Sequence, residues 1–168
     1  MKSYQYAAYG SNLHPIRLRK RVPSAKLVGT CLLRGYDLKF HKVSKKDGSG
    51  KCNVAPGEKG VYLAIFDVHE SDRGVLDKFE GLNYGYNAAI FETEEFGQCL
   101  SYVADPSAID ESQHPIDWYK EMVLLGCLAN SFPSEYVQGV QDVSTIVDSD
   151  NDRAIEQWKI VEELRNAT

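Results

Sequence analysis

No stretch of this sequence stays apolar for long. The longest runs, such as Val123-Leu124-Leu125 beside Gly126, fall far short of the ~20 residues a bilayer-spanning helix requires. The opening Met1-Lys2-Ser3-Tyr4-Gln5-Tyr6 lacks the apolar core of an export signal, so a cytoplasmic protein without a membrane span is the expectation. Metal-ligand spacing is missing as well. Cys31, Cys52, Cys99 and Cys127 stand 21, 47 and 28 residues apart, no Cys-x-x-Cys occurs, and His14, His41, His69 and His114 form no ligand pair. A chain of 168 residues can bury a sufficient core without covalent staples, so all four cysteines read as reduced thiols, Cys31 and Cys127 as small core residues. Asp148-Ser149-Asp150-Asn151-Asp152 lacks the glycine and terminal glutamate of a calcium loop and reads as a solvated loop and helix cap. Ser11 and His14 sit outside any Gly-x-Ser-x-Gly elbow and have no acidic orienter, which disfavours a serine nucleophile.

What the chain does have is aromatic surface and an uneven charge. Its 10 Tyr, 6 Phe and 2 Trp supply ample apolar area, which disfavours disorder, and the length fits one domain over residues 1–168. Residues 1–60 hold 13 Lys/Arg and three acids, whereas residues 61–168 hold 6 bases and 21 acids. Such asymmetry can mark nucleic-acid binding by the basic part. The basic residues are spread along strand-like and loop segments, however, and even the cluster Arg17, Arg19, Lys20, Arg21 is no tight run. Two oppositely charged halves packed in one domain, or across a subunit contact, is the preferred reading, and a nucleic-acid partner is not expected.

Local patterns place a strand over residues 4–9, ended by Gly10-Ser11-Asn12, and a short helix from Pro15 to Arg21, closed by Pro23. Strands follow over 26–33 and 36–43, the second with Leu38 and Phe40 alternating against Lys39 and His41. Residues 44–51 read as loop, 53–55 as a short strand and 61–68 as a longer one. Ser71 can cap a helix through Phe79, with Val75, Leu76 and Phe79 on one face and Gly81 just past its end. Paired strands at 86–92 and 98–104 flank Gly97. Helices are expected over 116–128, after Pro133, and over 152–165 with Ile155, Trp158, Val161 and Leu164 inward. This order is α+β, with strands enough for a small closed mixed barrel of about six strands and peripheral helices.

Two places break local rules. Tyr9-Gly10-Ser11-Asn12-Leu13 turns directly from a strand into a helix start, where successive backbone N–H groups make a concavity for a carboxylate or oxyanion. Glu80 ends a helix before Gly81, where the macrodipole disfavours a carboxylate. That effect is only ~0.3–1 kcal/mol when exposed. Burial beside Phe79 and Leu82 would push the pKa further, toward the range useful to a general base.

Together these features resemble the gamma-glutamylcyclotransferases. The family's Tyr-Gly-Ser-Asn-Leu signature is matched by Tyr6-Ala7-Ala8-Tyr9-Gly10-Ser11-Asn12-Leu13. Its Glu-Gly-x-x-x-Gly is matched by Glu80-Gly81-Leu82-Asn83-Tyr84-Gly85. Its third element is matched by Tyr119-Lys120, Gly126 and Pro133-Ser134-Glu135-Tyr136. The likeness runs from about Tyr6 to Gln141, leaving residues 142–168 as a helical extension that could cap the core or join a second subunit as a homodimer. Asn87, beside Tyr86, replaces a tyrosine common in the family, and Cys127 replaces a usual alanine.

The resemblance implies a small-molecule gamma-glutamyl substrate converted to 5-oxoproline and a free amino acid, with no metal and no organic cofactor. It implies Glu80 as the base, then the acid. Tyr6, Ala7, Ala8, Tyr9, Gly10, Ser11 and Tyr119 would bind substrate, the Tyr9–Ser11 backbone polarising the γ-carbonyl. A cyclotransferase acting on gamma-glutamyl amines, and a non-catalytic binding module on the same fold, are the alternatives.

Overall fold

The computed structural model describes residues 1–168. The elements run β1 (Ser3–Ala8), α1 (Pro15–Arg21), β2 (Lys26–Leu33), β3 (Tyr36–Val43), β4 (Gly50–Pro56), β5 (Val61–His69), α2 (Arg73–Glu80), β6 (Tyr86–Thr93), β7 (Gly97–Ala104), α3 (Asp117–Ala129), α4 (Ser134–Gln141) and α5 (Asn151–Asn166). Five strands form one mixed sheet in the order β2-β5-β1-β7-β6, and β3 and β4 pair separately as an antiparallel hairpin.

Strands at the centre of the sheet are the ones whose sequence is apolar on both faces. Leu63-Ala64-Ile65-Phe66 of β5 and Tyr6-Ala7-Ala8 of β1 are buried without alternation, as expected where layers cover both sides. β1 pairs antiparallel with β5 and parallel with β7, so the exit of β1 opens beside β7. Helix α3 buries Trp118, Tyr119, Met122, Val123 and Leu125, and packs on its outer side against α4 and α5. No helix is long and apolar enough to cross a membrane.

The α+β architecture has the expected order of elements, but no closed barrel is found. No ladder joins the edge strands β2 and β6. β2 is bulged between Leu27 and Gly29, and the ring of Phe96, from the β6–β7 turn, lies where a Gly29 Cβ would come within 2.6 Å of it. The edges therefore approach through side-chain packing instead of backbone pairing.

Several local expectations also change. Helix α2 begins at Arg73, after a 3₁₀ turn over Glu70–Asp72, and Ser71 does not cap it. Of its expected apolar face only Leu76 is buried; Val75 and Phe79 are exposed, and Phe79 lies under the Arg21 guanidinium at 5.0 Å. On α5, Val161 and Leu164 face inward, Trp158 is half-buried and Ile155 points outward. The alternation of β3 fails after Phe40, because a register shift between Lys39 and Lys42 lets both His41 and Lys42 be buried. All four cysteines are free and buried.

Candidate active site

At the end of β1 the chain turns through Tyr9-Gly10-Ser11-Asn12, closed by the Leu13 N–H donating to the Gly10 carbonyl at 3.1 Å. Gly10 has little alternative, since a Cβ there would lie 3.0 Å from the Cys52 Cβ on β4 and 3.5 Å from the Tyr119 hydroxyl. Next in the chain, His14 Nδ1 accepts from the Ile16 N–H at 3.3 Å and caps α1, while its Nε2 lies 3.1 Å from Thr168 Oγ1. His14 is thus committed to structure.

Helix α2 enters from the other side and delivers Glu80 at its last position. Gly81 adopts φ 73°, ψ 37°, with the Leu82 N–H donating to the Asp77 carbonyl at 2.9 Å and the Gly81 N–H to the Lys78 carbonyl at 3.3 Å. This is the Schellman closure that glycine permits, and it fixes where the Glu80 side chain leaves the helix. Glu80 Oε1 accepts from the Tyr6 hydroxyl and from Asn12 Nδ2, the latter at 2.9 Å. Arg21 Nη1 donates to Asn12 Oδ1 at 3.1 Å, orienting that amide. Oε2 takes no hydrogen bond from the protein.

Burial pushes the Glu80 carboxyl above its ordinary value of 4.5, against the opposing pull of the Tyr6 and Asn12 donors and of Arg21 and Arg17. Burial also draws the Arg17 guanidinium down to about 9, and its Nε has no partner. The phenols of Tyr6, Tyr9, Tyr86 and Tyr119 are held well above 10.0 by burial, and the Cys52 thiol is pushed up to about 12. Of these groups the Glu80 carboxyl is the one whose ordinary value lies below neutrality and is shifted upward.

Tyr6, Tyr9, Gly10, Ser11, Glu80 and Tyr119 line one pocket, about 320 Å³ of empty space including its mouth. Ala7 and Ala8 do not line it. Their side chains point into the core, and the Ala7 carbonyl accepts from Ser101 Oγ at 2.8 Å. Asn12, Cys52, Tyr86, Ser101 and Tyr102 complete the lining, and none of them was selected as a site residue from the sequence. Asn12 lies within the Tyr-Gly-Ser-Asn-Leu motif, so a signal existed; Cys52, Ser101 and Tyr102 come from strands without a motif. The Tyr119 hydroxyl accepts from the Cys52 N–H at 3.0 Å, and the Tyr86 hydroxyl donates to the Cys52 carbonyl at 2.6 Å. Asn87 instead points away and donates to Asp105 at 3.1 Å, so the tyrosine that lines the pocket here comes from position 86. Cys127 is fully buried in α3 and does not line the pocket.

Comparison with known proteins follows the same lines. No family model matches the chain. The bovine and human proteins named gamma-glutamylcyclotransferase are each 29% identical over 153 residues, covering 84% of this chain and 79% of theirs. The solved structure of a gamma-glutamyl cyclotransferase superposes with a TM-score of 0.78 at 22% identity, over 96% of this chain and 99% of that one. YkqA from Bacillus subtilis superposes with a TM-score of 0.70 at 18% identity, over 87% of this chain and 57% of its own. The structural likenesses define the fold class, an α+β architecture of the cyclotransferase type. The curated relatives, similar over most of both chains, carry the same name as that neighbour, so the likeness in sequence and the likeness in fold point the same way.

Proposed function

We propose that the protein is a gamma-glutamylcyclotransferase that converts a gamma-glutamyl amino acid to 5-oxoproline and the free amino acid, with Glu80 as the proton carrier. The observation that carries this reading is one partly desolvated carboxylate, with one oxygen held by Tyr6 and Asn12 and the other free, facing the turn after β1. The curated relatives of the same name support the reaction class.

The substrate's α-amine and γ-carbonyl belong to one molecule, so folding them into attack geometry can supply ~7–11 kcal/mol of the barrier. An α-amine with a pKa near 8 is mostly ammonium at neutral pH, so Glu80 takes a proton before attack. The nitrogen then bonds to the γ-carbon while backbone groups of Tyr9, Gly10 and Ser11 stabilise the oxyanion. The bond from the γ-carbon to the departing nitrogen breaks as Glu80 returns that proton to it. The second proton, lost by the ring nitrogen after attack, follows by the same carboxylate to leave the departing amine as ammonium. In all, two protons leave the α-nitrogen and two reach the departing amine, with no water consumed.

Glu80→Gln tests the proposal, because it keeps the shape and removes the proton acceptor. Release of 5-oxoproline from gamma-glutamyl-alanine should fall by about 10²–10⁴-fold. A folded variant as fast as wild type sinks the assignment. A wild-type protein that binds 5-oxoproline without turning over any gamma-glutamyl donor is a binding module instead.

A further inference from the structure

The β3–β4 hairpin pairs Lys42 directly with Lys51, so two like charges leave the same face of adjacent strands. Directly opposed like charges are unfavourable on an exposed sheet, and here both are withdrawn from solvent. Lys42 is only 5% exposed. Lys51 has a counter-ion, Asp47 at 2.9 Å, and also donates to Ser49 Oγ at 3.0 Å. Lys42 has none; its ammonium makes one hydrogen bond, to the Tyr84 carbonyl at 3.2 Å, which leaves two of three donors unpaired. Lys45 adds positive charge beside Lys42, and Arg153 beside Lys51. A buried ammonium without an anion is costly unless something supplies one.

Both ammonium groups lie over tyrosines that line the pocket, while neither lysine is itself part of the lining. Lys42 Nζ is 4.6 Å from the Tyr86 ring centre and Lys51 Nζ is 4.5 Å from that of Tyr119. Those two tyrosines line the Glu80 pocket and clasp Cys52 from both sides. Gly85 makes room for Lys42, since a Cβ there would fall 2.8 Å from its Cε and 3.0 Å from its Nζ.

We propose that Lys42 and Lys51 form a carboxylate subsite beside Tyr86 and Tyr119 that receives the carboxylate of the departing amino acid. It would select gamma-glutamyl amino acids over gamma-glutamyl amines. The inference rests on the cyclotransferase reading. With the glutamyl end folded at the β1 turn, the departing nitrogen carries its substituent away from Glu80, and the amino acid's carboxylate is two bonds beyond that nitrogen. An anion there completes the charge pattern that Asp47 alone leaves positive.

The test compares gamma-glutamyl-alanine with gamma-glutamyl-alanine amide, which share the scissile bond and differ in that charge. The wild-type ratio of kcat/KM should favour the acid by about tenfold to a hundredfold, the range of a charge-assisted hydrogen bond, and decline at high salt. In Lys42→Met and Lys51→Met the ratio should move toward one, and Lys42→Arg should restore most of it. A wild-type ratio near one, or a ratio untouched by both methionine variants, overturns the subsite; should the variants not fold, the wild-type ratio and its salt dependence decide. If wild type turns over neither compound, the cyclotransferase reading fails by itself. Calorimetry then decides the subsite, which stands if the acid binds more tightly than the amide and falls if the two bind alike.

Discussion

Oε1 of Glu80 carries two donors and Oε2 carries none, so the chemistry proposed for this site depends on how the Tyr6 and Asn12 donors hold the first oxygen. Those donors favour the carboxylate, whereas burial favours the acid and outweighs them. Removing a donor therefore raises the Glu80 pKa further. In Asn12→Ala the acid limb of the kcat/KM profile for 5-oxoproline release should move to higher pH, with about a tenfold to hundredfold loss at pH 7 that partly recovers in alkali. An unshifted limb would mean that Asn12 does not act on the carboxyl. The same balance fixes a stability effect. A carboxyl whose folded pKa exceeds its unfolded one makes the fold less stable as pH rises through that interval. Glu80→Gln should therefore melt at a higher temperature than wild type at pH 7, and the gain should shrink toward pH 4; scanning calorimetry at both values checks the sign. Glu80 was legible because a carboxylate at a helix end before glycine breaks a local rule. Tyr6 and Asn12 both lie in or beside the Tyr-Gly-Ser-Asn-Leu motif, but local pattern could not show that they bond Glu80, because folding must first bring together residues 68 to 74 positions apart.

Elements with strong punctuation were the easiest to place from sequence. Pro15 and Pro23 bracket α1, and Arg34-Gly35 separates β2 from β3, so those bounds agree with the structure. β4 was under-read because Gly48-Ser49-Gly50 looks like loop, yet Gly50 starts the strand at a site where a Cβ would meet the Phe40 carbonyl at 2.1 Å. Barrel closure depends on pairing between edges far apart in sequence, which local pattern does not encode. Gly126 is another close approach, the point where α3 touches the turn after β1. In an ordinary helix interior Gly→Ala is worth roughly 0.5–1 kcal/mol in stability. Here the new Cβ would sit 2.4 Å from the Leu13 Cβ and 3.1 Å from the His14 nitrogen. Overpacking of that kind costs about 1–3 kcal/mol, so the clash wins over propensity. Gly126→Ala should lower Tm by several degrees and weaken 5-oxoproline release, because Leu13 follows the Gly10–Asn12 turn directly. A variant with a higher Tm and unchanged turnover would show that the turn yields freely.

Across the whole molecule the charge asymmetry finds its place in one interleaved sheet, since the basic-half strands β1 and β2 both pair with β5 of the acidic half. Exposed ion pairs between the halves, such as Lys20 with Glu163, are worth roughly 0–1 kcal/mol and do not by themselves join them. A buried carboxylate has a larger effect in the C-terminal region. Asp148 accepts from Trp118 Nε1 of α3 at 2.9 Å and from Arg153 Nε of α5 at 2.8 Å, tying the last helix to the one that carries Tyr119. The acidic run around it thus holds structure as well as a cap, for Asp150 accepts from the Arg153 N–H at 3.0 Å. Arg153, followed by the other donors, holds the Asp148 carboxyl far below its ordinary 3.8. A depressed carboxyl contributes stability above its unfolded pKa and loses it as pH falls through the folded one. Asp148→Asn keeps the shape but leaves Arg153 without its buried partner, a loss of roughly 2–3 kcal/mol. For a chain of this size that corresponds to about 5–10 °C in Tm at pH 7. The gap between variant and wild type should hold from pH 7 to pH 5 and narrow steadily as pH falls below 3.8. Thermal melts across that range decide the matter, since a gap that does not depend on pH would place the effect in lost packing and not in the charge of Asp148.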